Sequence, residues 1–217
     1  MDHISQKKDY SVFDTKQALF SYIASELKRY SLMSCEQHIC LSGGSTPKGL
    51  FAYILDNTYV HSINWNNLHF WWGDERCVSP EDSQSNYGEA KRLFFNRIDI
   101  HPSNIHPINI TATNHEASLK QFKIEMDSSL SDNNNFPVFD WILLGVGDDG
   151  HTASLFPNLT NLESCESALL VLKPKTQEYR ISLSAKTIRS SKRISYLVTG
   201  QSKAKVMHEI LTGDTAS

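Results

Sequence analysis

Short apolar runs alternate along this chain with amphipathic stretches, and three of the runs end in glycine. Trp141-Ile142-Leu143-Leu144 leads into Gly145-Val146-Gly147, His38-Ile39-Cys40-Leu41 into Ser42-Gly43-Gly44, and Leu68 to Trp72 into Gly73. Each run reads as a buried strand and each glycine as a sharp exit from it. Further strands are predicted near Leu169 to Leu172, Arg180 to Leu183 and Ile194 to Thr199. Between them, Asp14 can cap a helix through about Tyr30, with Ala18, Leu19, Tyr22, Ile23 and Leu27 on one face. Other helices are predicted over Pro47 to Leu55, where proline fits the first turn, and over about Asn86 to Asn96, Asn114 to Leu130 and Ser202 to Leu211. Strands alternating with helices predict an α/β fold whose mainly parallel sheet is covered on both faces.

Size and charge narrow the function. The 217 residues suffice for one domain with a real core, 1–217, and no Pro/Ser/Gly-rich linker divides them. The formal charge is −3 with Lys and Arg scattered, which argues against a nucleic-acid surface but leaves room for a local anion site. MDHISQKKDYSVF at the amino terminus lacks the apolar region of a secretory signal, and no apolar run approaches a membrane span. Cys35, Cys40, Cys77 and Cys165 have unrelated spacings, so free thiols in a reducing cytoplasm are expected rather than disulfides or a zinc site.

Three loops carry candidate chemistry. Ser42 to Thr46 joins two glycines, Gly43 and Gly44, to the hydroxyls of Ser45 and Thr46 at the start of a helix. Backbone N–H groups and the helix dipole there suit a phosphate. The GxxxxGK[ST] spacing is absent, so a nucleoside triphosphate is not indicated. An ordinary capped turn is the alternative. In Gly73 to Arg76, Arg76 can grip an anion with Asp74 or Glu75 orienting it, or these charges form an ion pair at a sheet rim. In Gly147 to His151, Asp149 can hold His151 in one tautomer and make it a proton acceptor near neutral pH; a solvent-exposed turn histidine is the bland alternative. Lys203, opening the last helix, and Arg180, between two strand-like runs, are further candidate cations. All three loops read as strand, glycine turn, polar triplet and helix, which in a parallel sheet brings them to one edge.

LSGGSTPKGLF at 41–51, WWGDERCVSPEDSQSNY at 71–87, LLGVGDDGHTASLFP at 143–157, RISL at 180–183 and TGQSKA at 199–204 resemble the 6-phosphogluconolactonase family, collinearly from about residue 10 to 211. That resemblance implies a three-layer, Rossmann-like sheet and hydrolysis of 6-phospho-D-glucono-1,5-lactone in the oxidative pentose phosphate pathway. It implies a soluble cytoplasmic monomer or small homo-oligomer needing no metal or organic cofactor. In the implied site His151 is the base, Asp149 its partner, and Arg76 serves the oxyanion or the phosphate. Gly43 to Thr46 with Lys203 and Arg180 hold the phosphate, and Asp74 lies in the substrate site.

The wider superfamily includes glucosamine-6-phosphate deaminase. That enzyme carries a catalytic Glu before the proline where this chain has Phe156, and a Tyr where it has Arg76; both differences favour the lactonase. A deaminase using Asp74 as base, or a non-catalytic sugar-phosphate sensor, are the alternatives. Lactonases usually carry a further strand and short helix after the position of Leu211, so a shortened form is expected here.

Overall fold

The computed structural model describes residues 10–111, 113–133, 136–173 and 176–213. Residues 1–9, where most of the leader reading falls, and 214–217 lie outside them. The chain runs through α1 (Lys16–Ser31), β1 (Gln37–Leu41), α2 (Ser45–Leu55), the single turn α3 (Tyr59–Ser62), β2 (Leu68–Trp72) and β3 (Asp74–Arg76). It continues with α4 (Asn86–Leu93), β4 (Ile105–His106), α5 (His115–Ser129), β5 (Ser131–Asn133), β6 (Phe136–Val138), β7 (Trp141–Leu144) and β8 (Ala168–Leu172). Last come β9 (Tyr179–Leu183), α6 (Ala185–Ser190), β10 (Ile194–Tyr196) and α7 (Ala204–Thr212).

Five strands form a parallel sheet in the order β10-β7-β1-β2-β4. Alternation along β2 builds a core on both faces. Phe70 and Trp72 turn toward Phe95 and Tyr87, while Trp71 turns the other way toward Phe122 of α5. On the first face Trp141 of β7 stacks on Tyr30 of α1, ring centroids 5.4 Å apart. Leu68, Phe70, Trp71, Trp72, Trp141 and Ile142 are all buried, as a strand sandwiched between helical layers requires.

The structure corrects the sequence reading in four places. Thr15, not Asp14, caps α1, its Oγ1 accepting from the Ala18 N–H at 3.1 Å. Ala18 and Tyr22 lie on the exposed side of that helix, and Phe20 and Ala24 join Leu19, Ile23 and Leu27 inside. Asp74 to Arg76 is not a free loop but β3, antiparallel to β9, which pairs in turn with β8. The runs near 169–172 and 180–183 therefore belong to a second, antiparallel sheet. Gly73 hinges the two sheets: its N–H donates to Leu41 C=O and its C=O accepts from Leu183 N–H, both at 2.8 Å. Finally, β10 stops at Tyr196, short of the predicted Thr199.

One polar seam crosses the α5 face of the sheet. His38 and His69 are register partners on β1 and β2, their rings 4.8 Å apart. His69 meets His106 at 2.9 Å, and His106 meets Glu125 of α5 at 2.9 Å. The Trp71 indole donates to His38 Nδ1 at 3.1 Å. None of the four cysteines forms a disulfide. No helix among the described residues is long and apolar enough to cross a membrane.

Candidate active site

The carboxyl ends of β1, β2 and β7 open onto one cleft of about 300 Å³. Open α/β sheets place ligands at this edge. Gly43, Gly44, Asp74, Arg76, His151, Arg180 and Lys203 line it together, and Asp149 stands behind His151. Ser45 and Thr46 are not in the lining; the Thr46 hydroxyl meets that of Thr199 at 2.9 Å. Of the three loops, only the first leads directly from glycine turn into helix: the second continues as β3, and the third closes through a bridge between Thr152 and Leu155.

The third loop is wound tightly around its histidine. Gly147 N–H donates to His151 C=O at 2.7 Å, and Gly150 N–H returns to Gly147 C=O at 3.1 Å. Gly150 needs its left-handed φ of +83° for this turn. The Thr152 hydroxyl ties the far side to Gly145 C=O at 2.9 Å. A Cβ at Gly147 would fall 2.1 Å from His151 Nδ1, so only glycine lets the ring lie where it does. His151 Nδ1 meets Asp149 Oδ1 at 2.5 Å, and the His151 backbone N–H donates to the same oxygen at 3.2 Å. Partial burial opposes ionisation of Asp149, yet these hydrogen bonds and the neighbouring imidazole's charge hold its carboxyl below its ordinary range. An ionised Asp149 keeps the proton on Nδ1 and leaves Nε2 as the basic nitrogen. The ring packs against Phe156, centroids 4.9 Å apart.

The second element is a pair of guanidiniums. Arg76 and Arg180 face each other in the β3–β9 register. Arg180 is only 7 % exposed, and the Nε atoms of both arginines are buried with no hydrogen-bond partner among the described residues. Arg76 Nη1 donates to Gln84 C=O at 2.5 Å; Arg180 Nη1 stands 3.8 Å from Asp74 Oδ2. A buried and a half-buried guanidinium with unspent donors form a ready anion site. The alternative, a rim ion pair of Asp74 or Glu75 with Arg76, is not formed among the described residues. Glu75, 1 % exposed, instead accepts the N–H groups of Arg76, Asn86 and Tyr87 at 2.8 Å each and the Ser85 hydroxyl at 3.0 Å, so it caps α4. Burial pushes the Glu75 carboxyl up, against the pull of those hydrogen bonds.

At the first loop, Gly44 takes φ +104° and begins α2 without a side-chain cap, so the ordinary Ser/Thr cap is not formed. Gly43 has a different constraint: a Cβ would lie 1.9 Å from Asn86 Oδ1. Lys203 closes the cleft by pairing with Asp148 at 2.6 Å. Asn86 and Ser154 escaped the sequence reading, and Asp148 had no role in it. Asn86 presses on Gly43 and donates to Asp74 C=O at 2.8 Å. Ser154 donates to Asp74 Oδ2 at 2.7 Å. Asp148 holds Lys203. Their partners lie 12 to 80 positions away in the chain for two of them and 55 for the third, so no local spacing announces them. Among the described residues, no group of three or more His, Cys, Asp or Glu could hold a metal ion.

Comparison with known proteins gives the family and the fold. The family described as glucosamine-6-phosphate isomerases/6-phosphogluconolactonase matches residues 13–217. A 6-phosphogluconolactonase of Aggregatibacter actinomycetemcomitans is 48% identical over 202 residues, covering 93% of this chain and 85% of that protein. One from Haemophilus influenzae is 47% identical over 204 residues, covering 94% and 86%. The solved structure of the devB protein superposes with a TM-score of 0.89 at 44% identity, covering 93% of this chain and 84% of its own.

Proposed function

The chain belongs to the glucosamine-6-phosphate isomerase/6-phosphogluconolactonase family, and from that premise we propose that it hydrolyses 6-phospho-D-glucono-1,5-lactone to 6-phospho-D-gluconate with His151 as general base. The observation that carries this reading is the His151–Asp149 pair at 2.5 Å, opening onto the same cleft as Arg76, Arg180 and Lys203. His151 Nε2 takes a proton from water as the water oxygen bonds to the lactone carbonyl carbon. The resulting tetrahedral oxyanion collapses, the bond to the ring oxygen breaks, and the imidazolium returns its proton to that oxygen. Asp149 holds the ring and offsets the transient charge.

The phosphate dianion is assigned to Arg76, Arg180 and Lys203. Two guanidiniums whose Nε donors find no partner among the described residues suit an anion present already in the ground state, as a phosphate is and a transient oxyanion is not. The Gly43–Gly44 turn at the positive end of α2 is left for the carbonyl oxygen, where charge develops. Asp74 stands beside Arg180 and is given no proton to move, since its Oδ2 accepts from the Ser154 hydroxyl. The test is a lactone-consumption assay, corrected for uncatalysed opening, beside an ammonia-release assay with glucosamine-6-phosphate. Lactone turnover without ammonia is the expected result; ammonia release would establish the deaminase instead. Tight lactone binding at the uncatalysed rate would mark a sensor.

A further inference from the structure

Asp74 lies between two donors that compete for one of its oxygens. The Ser154 hydroxyl donates to Oδ2 at 2.7 Å, while Arg180 Nη1 stays 3.8 Å from the same atom, outside hydrogen-bonding range. The other oxygen, Oδ1, has only a long approach from Asn86 Nδ2 at 3.5 Å. Arg180 Nη2 makes a 3.4 Å contact with Glu178, and its Nε is unpartnered. The guanidinium thus has Asp74 within ion-pairing distance but gives it no hydrogen bond.

Ser154 is built for this task. It is fully buried, and its backbone N–H donates to Ser182 Oγ at 3.1 Å. Ser182 in turn donates to Leu183 C=O and is the register partner of Asp74. The preceding Ala153 takes a left-handed φ of +49°, unusual for alanine, which directs the chain from the His151 turn into this seat. We propose that Ser154 is a positioning residue: its hydroxyl occupies the Asp74 oxygen that would otherwise capture Arg180, and so keeps that guanidinium available to the substrate phosphate.

This rests on the assignment of Arg180 to the phosphate, and the test separates the two claims. Steady-state kinetics are measured with 6-phospho-D-glucono-1,5-lactone and with unphosphorylated D-glucono-1,5-lactone for wild type, Arg180→Met, Ser154→Ala, Ser154→Thr and Ser154→Ala/Asp74→Asn. Without the hydroxyl, Asp74 closes onto Arg180, and KM for the phosphorylated lactone rises about tenfold with kcat unchanged, the scale of one lost hydrogen bond to a buried charge. The unphosphorylated lactone registers no change. Ser154→Thr keeps the hydroxyl and restores KM, and removing the carboxylate charge in the double variant recovers at least half of the loss. Equal effects of Ser154→Ala on both lactones, a fall in kcat, or no effect at all overturn the proposal while Arg180→Met remains selective for the phosphorylated substrate. An Arg180→Met variant that affects both lactones alike overturns the phosphate assignment itself, and this inference with it.

Discussion

Adding a single methyl group at Gly147 tests whether the imidazole's position, rather than its mere presence, sets the rate. A Cβ there would sit 2.1 Å from His151 Nδ1, 2.3 Å from Cε1 and 2.7 Å from Asp149 Oδ1. To reach ordinary contact at 3.4 Å the ring must retreat by about 1.3 Å. Backbone strain does not confuse the result, because Gly147 lies outside the left-handed region and alanine can adopt its conformation. Nor does packing: the atoms that must yield belong to side chains 28% and 63% exposed, which can swing toward solvent. Gly147→Ala should therefore leave the melting temperature within a few degrees of wild type, since alanine at a compatible site stabilises by about 0.4–1 kcal/mol. Displacing a catalytic group by about 1 Å costs about 10²-fold, or about 2.7 kcal/mol of barrier. The assay is initial-rate lactone consumption with the uncatalysed rate subtracted, alongside calorimetric melting. Expected are a kcat lowered about 100-fold, a KM near wild type and an unchanged melt. A kcat within about threefold of wild type would refute the reasoning, because the ring would have been moved without consequence.

The histidine seam gives stability a pH dependence. Burial, then the neighbouring His69, lowers the pKa of His38 from 6.5 to about 4, and the Trp71 indole donates to His38 Nδ1, which requires that nitrogen unprotonated. The unfolded chain thus takes up the proton first: the contribution of His38 is complete above pH 6.5 and is lost as pH falls toward 4. Its size is at most about 3 kcal/mol. Urea unfolding between pH 7 and 4.5 should show a shallower decline for His38→Gln than for wild type; parallel declines would contradict this. At the cleft mouth, Asp148→Asn should release Lys203 and lower KM for the phosphorylated lactone by up to about fivefold at low salt with kcat unchanged, since an exposed pair is worth up to about 1 kcal/mol. A KM that rises would mean that Asp148 helps binding instead.

Most of the parallel sheet was legible because its strands are largely apolar runs. Leu68–Trp72 and Trp141–Leu144 match the sequence reading to the residue, and β1 begins one residue earlier than read. In the second sheet β8 and β9 were read as strands, but β3 and the antiparallel pairing were not legible. Asp74-Glu75-Arg76 reads as a charged loop because its burial depends on partners remote in sequence: Ser85 to Tyr87 for Glu75, and Ser154 and Arg180 for Asp74. The site divides the same way. The His151–Asp149 contact spans two residues and is implicit in the DGH turn, whereas the Arg76–Arg180 pairing exists only through the β3–β9 register. Thr46 also has a remote partner that no local pattern announces. A hydroxyl beside a glycine turn predicts a cap or a ligand, and here the Thr46 hydroxyl is taken by Thr199.

The central claim is that one imidazole, oriented by Asp149, activates water at the lactone carbonyl. Initial rates of 6-phospho-D-glucono-1,5-lactone opening, measured for wild type and His151→Ala and corrected for the uncatalysed reaction, test it most directly. The account predicts a kcat reduced by at least about 10²-fold with KM changed little, because the base acts in the transition state and the cations that bind the phosphate are untouched. A His151→Ala enzyme turning over at the wild-type kcat would contradict it.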